Sequence, residues 1–330
     1  MAFAATDPLV RLEAIAGLDG PPAPTRRMLV IVNPYATTVS DRLKTLVVYA
    51  LRGRYEVEAV DTEARDHATE LCREAAASGG YDVVVAFGGD GTVNEAANGL
   101  VGSDTPLCCL PGGRANVYCR MLGIPADIVD ATEHLLGLAH DWRPRRVDVG
   151  RVNHRHFLFS AGVGLDASVV AHVDAHPRLK ARGGEWYYAW TGIRTFNRRY
   201  LVHPPRLTVE LGEERIPGVT AIIQNADPYT FFGSRAVQMA EGAGLDSGDL
   251  AGVVLRRASP LDAATVTWRA LSRRARLVRH RRVHGFDGVT GLRVRSDDER
   301  SIPLQVDGDY IGDVDDARFA VVPRGILVVS

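Results

Sequence analysis

Apolar runs of strand length alternate with helical apolar spacing along the first part of the chain. The apolar runs lie at 28–32, 55–60, 82–87 and 106–110, and the helical segments at 40–51, 64–77, 92–100 and 116–122. A strand that is covered on both faces gives a continuous apolar run rather than strict alternation. The pattern therefore predicts a doubly wound parallel sheet, an α/β domain with helices on both faces.

After about residue 148 the pattern changes to short β-rich segments that are separated by turns. These segments lie at 147–152, 156–161, 206–211, 218–224, 252–256, 291–296, 303–306 and 319–322. Such spacing predicts a mostly antiparallel second domain, a β-sandwich or barrel. Two helical stretches interrupt it, near 177–200 and 260–277. At the other end of the chain, residues 7–18 predict a short amphipathic helix, and 17–25 have the composition of a linker.

Composition narrows the function classes. The chain has 330 residues, of which 46% are hydrophobic, and its formal net charge is −1. This argues against a disordered chain and against a globally basic nucleic-acid binder. The four cysteines show no C-x-x-C spacing, so we expect reduced thiols. No apolar run is long enough to span a membrane, and no basic-then-apolar signal segment opens the chain, so we expect a cytoplasmic protein.

A glycine-rich turn follows the third predicted strand in the segment 81–100, YDVVVAFGGDGTVNEAANGL. Gly88, Gly89 and Gly91 allow the backbone to approach an anion closely, and the helix that starts there supplies unpaired N–H groups. Asp90 can hold Mg²⁺ against phosphate oxygens, and Thr92 can donate its hydroxyl. The alternative is a purely structural turn in which Asp90 caps the helix. The five-residue run directly after a buried strand favours phosphate binding.

Two further loops are expected at the same edge of the sheet. The sequence Pro111–Asn116, PGGRAN, follows the fourth strand, and Asn33-Pro34 follows the first. Each alone indicates only a turn, but ligands of such sheets bind beyond the carboxyl ends of the strands. The chain lacks a G-x-x-x-x-G-K-[ST] motif, and no G-x-G-x-x-G follows the first strand, which excludes a P-loop enzyme and a Rossmann dehydrogenase.

Together these motifs resemble the soluble diacylglycerol kinase family of bacteria, which is related to sphingosine and ceramide kinases. The resemblance covers about residues 28–330. It rests on NP at 33–34, GGDGTVNE at 88–95, PGG-x-x-N at 111–116, VDVG at 147–150 and QVDGD at 305–309. NAD kinases and phosphofructokinases share the GGDG loop more distantly.

The resemblance implies a two-domain kinase with ATP in the cleft between the domains. It implies an extension over 1–25, a catalytic domain over 26–147 plus 312–330, and a lipid-substrate domain over 148–311. The nucleotide site would comprise Asn33, Pro34, Tyr35, Ala36, Thr37, Thr62, Gly88, Gly89, Asp90, Gly91, Thr92, Val93, Asn94, Gly113, Arg114 and Asn116. Asp90 and Asp148 would organise the catalytic Mg²⁺.

The resemblance also implies a general base in the family's D-G-E element, which is Asp307-Gly308-Asp309 here, so Asp309 takes that role. A structural Mg²⁺ would lie near 246–251, with Asp246 or Asp249 as a ligand. The chain departs from the family at Arg114, where a small hydroxyl residue is usual, at Val117, where Asp is frequent, and at Ser247, the expected metal ligand. Aspartate at 309 is also shorter than glutamate by about 1.5 Å, one carbon–carbon bond.

Two segments are candidates for lipid contact. Residues 178–200 mix six aromatic with six basic side chains, and residues 269–282 carry seven arginines. Aromatic residues with flanking cations suit a membrane interface, and an arginine cluster suits anionic lipid. The alternatives are an amphipathic helix packed on the second domain, a solvated face or an RNA-binding patch.

The sequence thus predicts an ATP- and Mg²⁺-dependent lipid kinase of phospholipid biosynthesis. It would phosphorylate a hydroxyl of diacylglycerol or a similar neutral lipid at the inner face of the cell membrane. We expect peripheral contact with anionic lipid and no nucleic-acid partner, and the sequence leaves open a homo-oligomer. The alternatives are a kinase for NAD or another soluble metabolite, and a non-catalytic nucleotide- or membrane-binding relative.

Overall fold

The computed structural model describes residues 11–12, 26–165, 167–168, 205–233, 235–257, 259–272, 275–298 and 300–330. The predicted linker at 17–25 and helix at 177–200 lie outside these residues, as does all of the predicted helix at 7–18 except residues 11–12. The fold divides into two compact units, Met1–Val147 with Gly325–Ser330, and Asp148–Arg324. The sequence-based domain boundaries were placed at 147/148 and 311/312.

The first unit alternates strands and helices as the apolar pattern predicted. Its elements are β1 (Arg26–Val32), α1 (Asp41–Arg52), β2 (Tyr55–Asp61), α2 (His67–Ser78), β3 (Val83–Gly88), α3 (Asp90–Leu100), β4 (Leu107–Pro111), α4 (Val117–Met121) and α5 (Ile128–Leu138). The strands form a parallel sheet in the order β2-β1-β3-β4. Near the C-terminus, Val328 pairs in parallel with Leu107 of β4.

Burial explains the apolar runs of this sheet. Every residue of β3 is buried, and so are the last five residues of β1. Helix α2 packs against α3, and α1 packs against α5. Because both faces of the central strands are covered, the predicted parallel α/β sheet is confirmed. Helix α5 was not predicted, although Asp127 caps it by accepting hydrogen bonds from the amides of Val129 and Asp130.

The second unit is built almost entirely from strands. They are β5 (Arg145–Val152), β6 (Arg155–Phe157), β7 (Ser160–Gly164), β8 (Leu207–Leu211), β9 (Glu214–Gly218), β10 (Thr220–Gln224), β11 (Thr230–Phe232), β12 (Arg235–Val237), β13 (Leu250–Leu255), β14 (Val283–Val289), β15 (Gly291–Ser296), β16 (Ile302–Val306), β17 (Asp309–Val314) and β18 (Asp316–Val328). Helix α6 (Pro260–Leu271) and a 3-10 turn (Leu277–Arg279) lie between β13 and β14. Strand β5 begins, and β18 ends, in the first unit.

Two antiparallel sheets enclose the main core of this unit. One has the order β14-β13-β10-β7-β16-β17, and the other contains β18, β15, β8 and β9 as neighbours. A single cluster of buried side chains draws on both sheets, among them Val163 and Leu304 from the first and Val209 and Phe319 from the second. Phe319 meets Phe157 edge to face, with ring centroids 6.3 Å apart. The predicted antiparallel sandwich is therefore confirmed.

Two predicted elements differ from the structure. The single strand expected at 156–161 is interrupted between β6 and β7, because the amides of Leu158, Phe159 and Ser160 donate to the carboxylate of Asp307. The helix expected at 260–277 ends at Leu271. In the part of the chain that the structure describes, no helix is long and apolar enough to cross a membrane.

Candidate nucleotide and catalytic site

Backbone hydrogen bonds join the three predicted loops at the carboxyl edge of the parallel sheet. The amide of Asn33 donates to the carbonyl of Phe87 at 3.0 Å, and the amide of Gly112 donates to the carbonyl of Gly88 at 2.8 Å. On the other side of β1, the amide of Thr62 donates to the carbonyl of Val32 at 2.8 Å. The ends of β1, β3 and β4, together with the residue after β2, therefore meet as the parallel topology predicted.

Side chains reinforce this convergence. The amide Nδ2 of Asn33 donates to Oγ1 of Thr92 at 3.1 Å, and Oδ1 of Asn33 accepts from the amide of Tyr35 at 2.9 Å. Thr38 donates twice to the carbonyl of Gly112, from its amide at 3.1 Å and from Oγ1 at 2.8 Å. Thr38 was missed by the sequence analysis, since a hydroxyl residue one position beyond the expected motif gives no distinct signal.

Glycines allow the two phosphate-loop candidates to touch backbone to backbone. A Cβ on Gly112 would lie 2.9 Å from the Cα of Gly88, and a Cβ on Gly113 would lie 2.8 Å from the Cα of Gly89. A Cβ on Gly88 would lie 2.5 Å from Oγ1 of Thr92. Carbon atoms in proteins do not approach so closely. The GGDG and PGG loops therefore need glycine for their packing against each other, whatever they bind.

Helix α3 begins directly at this contact. Its N-cap is Gly89, which has no side chain to cap the first turn. The leading N–H groups of a helix have no intrahelical partner and carry a partial positive charge. Thr92, Val93 and Asn94 in this turn are buried, and Gly91 is partly exposed. The turn is thus a place where a phosphate oxygen can accept hydrogen bonds from backbone amides.

Asp90 links the GGDG loop to the short helix α4. Its Oδ1 accepts a hydrogen bond from the amide of Tyr118 at 3.1 Å. Burial raises the pKa of the Asp90 carboxyl above its ordinary value, and hydrogen bonds from backbone amides, that of Tyr118 first and that of Val117 second, oppose the rise. A buried carboxylate with a raised pKa gains from a nearby cation, which suits the predicted role in holding a metal ion.

Asn116 and Arg114, both predicted to contact the nucleotide, differ in their surroundings. The side chain of Asn116 closes the PGG loop on itself, since Oδ1 accepts from the amide of Gly113 and Nδ2 donates to its carbonyl, each at 2.8 Å. Asn116 also has a left-handed backbone (φ 44°), which asparagine tolerates better than most residues. Arg114 is exposed.

The remaining predicted nucleotide residues follow β1. Tyr35 is 85% exposed and Thr37 is exposed, while Pro34 and Ala36 are partly buried. The amide of Ala36 donates to the carbonyl of Asn33, which bends this loop back over the strand end. An exposed aromatic ring beside the glycine loops is available to stack on a planar group.

In the second unit, Asp148 is 3% exposed and is held by backbone amides. Its Oδ2 accepts from the amide of Gly248 and its Oδ1 from the amide of Arg324, each at 2.7 Å. Its own amide donates to the carbonyl of Leu245, also at 2.7 Å. Each carboxylate oxygen has a second lone pair, so these bonds leave room for a metal ion or its water.

A structural Mg²⁺ was predicted near 246–251, and the loop that includes Leu245 and Gly248 lies next to Asp148. Asp246 is exposed, and Oγ of Ser247 donates to the carbonyl of Gly244 at 3.1 Å. Oδ1 of Asp249 is buried and accepts no hydrogen bond within the described residues. Over the described ranges, no group of three or more His, Cys, Asp and Glu side chains is arranged to hold a metal. Asp249 therefore fits a cation, but the complete ligand set stays a prediction.

The Asp307-Gly308-Asp309 element forms a tight hairpin between β16 and β17. Val306 pairs with Asp309, and the two residues between them both have positive φ, 47° and 85°. This is the backbone of an Asp-Gly hairpin turn. Asp307 is 4% exposed, and its carboxylate accepts from three backbone amides, at 2.7, 3.0 and 3.0 Å. Asp309 is partly buried at the first position of β17.

The two aspartates of this element thus have different surroundings. Asp307 fastens the hairpin to the segment between β6 and β7, whereas Asp309 follows the turn. Asn225, which the sequence analysis missed, lies between this region and Asp148. It is fully buried, and its Nδ2 donates to the carbonyls of Asp148 and Leu158 at 3.0 and 2.8 Å. A lone buried amide has no motif, so only the structure identifies it.

Comparison with known proteins agrees with these features. Residues 27–152 match the family model described as the diacylglycerol kinase catalytic domain. A diacylglycerol kinase of Staphylococcus haemolyticus is 27% identical over 290 residues, which is 87% of this chain and 82% of the relative. A diacylglycerol kinase of Bacillus subtilis is 32% identical over 176 residues, which is 51% of this chain and 55% of the relative.

Among solved structures, a diacylglycerol kinase of Bacillus anthracis superposes with a TM-score of 0.70 at 21% identity, over 92% of this chain and 96% of that one. That likeness concerns the fold, since the identity is low. The family-model match covers the segment that contains the glycine loops, and the match to the Staphylococcus haemolyticus relative extends over most of the chain. Residues 27–152 therefore resemble the diacylglycerol kinase catalytic domain, and the resemblance read from the sequence motifs is confirmed.

Proposed function

We propose that this protein is an ATP- and Mg²⁺-dependent lipid kinase that transfers the γ-phosphate to a hydroxyl of diacylglycerol or a similar neutral lipid. The observation that supports it most is the backbone contact between the GGDG and PGG loops at the start of α3. Phosphoryl transfer asks a protein mainly to position the phosphates and the acceptor and to neutralise charge. Uncapped amides beside glycines meet the first requirement.

Asp90 and Asp148 are the residues proposed for the catalytic metal, and Asp249 and Asp246 for a structural one. When bound, Mg²⁺ supplies positive charge at the transferring phosphoryl group. The buried carboxyl of Asp90 and the unpartnered Oδ1 of Asp249 are oxygen ligands of the type that Mg²⁺ prefers. Asp148 is held by two backbone amides, so its carboxylate would keep a fixed orientation toward a bound cation.

Asp309 is the proposed general base. The lipid oxygen forms a bond to the γ-phosphorus, the bond from that phosphorus to the β–γ bridging oxygen breaks, and the hydroxyl proton passes to Asp309. A positioned base contributes roughly 10²–10⁴-fold in rate. The hairpin supports this assignment, because three hydrogen bonds to Asp307 fix the turn. The fixed turn sets the backbone position of Asp309, which comes directly after it.

The proposal is tested by incubating the purified chain with γ-labelled ATP, Mg²⁺ and diacylglycerol in mixed detergent micelles. We expect labelled phosphatidate, and no such product from Asp90→Asn, which keeps the oxygen that accepts from Tyr118. A parallel panel offers NAD and other soluble alcohols without detergent. Labelling of a soluble substrate instead of the lipid would contradict the proposal, as would nucleotide binding with no transfer to any acceptor.

A further inference from the structure

Charge is segregated along this nearly neutral chain. Residues 256–284 hold nine of the 39 basic residues and only one of the 40 acidic ones, Asp262. This segment therefore carries a formal charge of +8, while the rest of the chain carries −9. A local excess of positive charge attracts a protein surface toward anionic partners. The segment comprises α6, the 3-10 turn and their flanks at the ends of β13 and β14.

The fold brings the ends of this segment together. The amide of Arg256 donates to the carbonyl of Arg282 at 2.9 Å. Within α6, Asp262 is 5% exposed and pairs with Arg281 at 3.2 Å, while Thr265 contacts the buried ring of His280 at 3.0 Å. A further bond closes the other side, from the guanidinium of Arg269 to the carbonyl of Arg276 at 3.0 Å.

An apolar base keeps these elements in place. Val266 and Ala270 on the inner side of α6 pack with Leu277 of the 3-10 turn against Ala251 and Val253 of β13. The helix also has a complete N-cap, because Oγ of Ser259 accepts from the amide of Asp262. The described part of the basic segment is therefore folded and packed on the second unit.

The outer side of this assembly combines cations with one large aromatic ring. We define the basic patch as its exposed members, Arg256, Arg257, Trp268, Arg276, Arg279 and Arg281. Trp268 is 62% exposed, and the side chains of Arg281 and Arg276 are 74% and 60% exposed. Tryptophan favours the boundary between headgroups and acyl chains, and clustered arginines favour anionic headgroups.

We propose that the basic patch is a docking surface for an anionic phospholipid bilayer. This rests on the proposed function in one respect: a kinase for a neutral lipid must meet its substrate in a bilayer. Nucleic acid would satisfy the arginines equally well, but the exposed tryptophan on the outer side of α6 is of the residue type that concentrates at membrane–water interfaces. The patch is at the β14 edge of its sheet, and Asp309 is on β17 at the opposite edge. The surface is therefore distinct from the proposed base.

The test measures binding of the full chain to sedimented vesicles, without ATP. We compare phosphatidylcholine vesicles with vesicles of phosphatidylcholine and phosphatidylglycerol. One arginine near an anionic surface contributes about fivefold in partition, so the double variant Arg257→Gln/Arg279→Gln should bind the mixed vesicles about thirtyfold more weakly. The matched control Arg52→Gln/Arg73→Gln removes the same charge from exposed sites on α1 and α2 and should bind nearly as well as the parent.

Two further readouts test separately the contribution of Trp268 and the contribution of the arginine charges to vesicle binding. Trp268→Ala should weaken binding and abolish much of the blue shift in tryptophan fluorescence that vesicles induce. Raising the salt concentration should weaken binding of the parent more than that of the double variant. Equal binding to both vesicle types would overturn the proposal, and so would equal losses in the double variant and its control. Patch-dependent binding of single-stranded RNA without vesicle binding would overturn it as well.

The outcome is separable from the proposed kinase activity. In detergent micelles, where no bilayer is present, the double variant should phosphorylate diacylglycerol as fast as the parent. If vesicle binding follows the patch but no lipid is phosphorylated, the docking surface stands and the kinase proposal fails.

Discussion

The glycine loops of the first unit and the Asp-Gly hairpin of the second are held in place by opposite means. In the first unit, a Cβ on Gly112 would lie 2.9 Å from the Cα of Gly88, and the carboxylate of Asp90 accepts a hydrogen bond from the amide of Tyr118. In the second, Asp307 accepts from three amides, and its turn has open space around Gly308.

This difference distinguishes, within each motif, the residues that the fold requires from the residue that is proposed to act in the reaction. In GGDG, the glycines are required by packing, and the aspartate with the raised pKa is the residue proposed to hold the metal. In DGD, the first aspartate fixes the turn, and the second is the proposed base. The aspartate of GGDG, Asp90, is thus proposed to act in chemistry, whereas the first aspartate of DGD, Asp307, stabilises the fold. Substitutions should distinguish these two roles.

The largest effect on stability is expected for Asp307→Asn. Asparagine tolerates the left-handed backbone of this position. However, its Nδ2 is a donor, and it would face a backbone N–H that now donates a hydrogen bond to the Asp307 carboxylate. Losing a charged acceptor and leaving a buried N–H unpaired should lower the free energy of unfolding by about 2–4 kcal/mol. Urea denaturation measures this loss. The matched variant Asp309→Asn should unfold within about 0.5 kcal/mol of the parent, as surface-like substitutions do. Equal losses in both variants would remove the proposed division of roles.

A smaller loss of stability, with a loss of nucleotide binding, is expected for Gly113→Ala. The new Cβ would lie 2.8 Å from the Cα of Gly89, so one loop must shift. Such overpacking costs typically about 1–3 kcal/mol. The control Gly137→Ala has open space in α5 and should gain up to about 1 kcal/mol from helix propensity. Thermal unfolding should show a loss of stability for Gly113→Ala and a gain for Gly137→Ala. ATP titration should show weaker binding only for Gly113→Ala.

The smallest effect, with the opposite sign, is expected for Asp90→Asn. Since the folded state raises the pKa of Asp90, it binds the proton more tightly than the unfolded chain does. The stability of the parent therefore decreases as the pH rises from the ordinary pKa of an aspartate, about 3.9, through the raised value. Asp90→Asn should lack this decrease and be slightly more stable at neutral pH. A parent whose stability increases over that interval, relative to the variant, would contradict the assignment.

The pattern of the sequence predicted the first unit well, because fully buried strands and strand-end loops leave local signals. Asn33, Gly88 and Pro111 follow apolar runs, and parallel topology alone brings them to one edge. The anchoring role of Asp307 could not be predicted, since its partners lie 147–149 residues away. The same holds for Asn225, whose contacts with Asp148 and Leu158 are equally non-local.

Single-turnover transfer from γ-labelled ATP to diacylglycerol tests the central claim most directly, with the parent and Asp309→Asn compared at saturating ATP and Mg²⁺. The account predicts labelled phosphatidate from the parent and a rate about 10²–10⁴-fold lower for the variant, while ATP affinity and unfolding stay unchanged. Transfer at the same rate in the variant, or no labelled lipid from the parent, would contradict it.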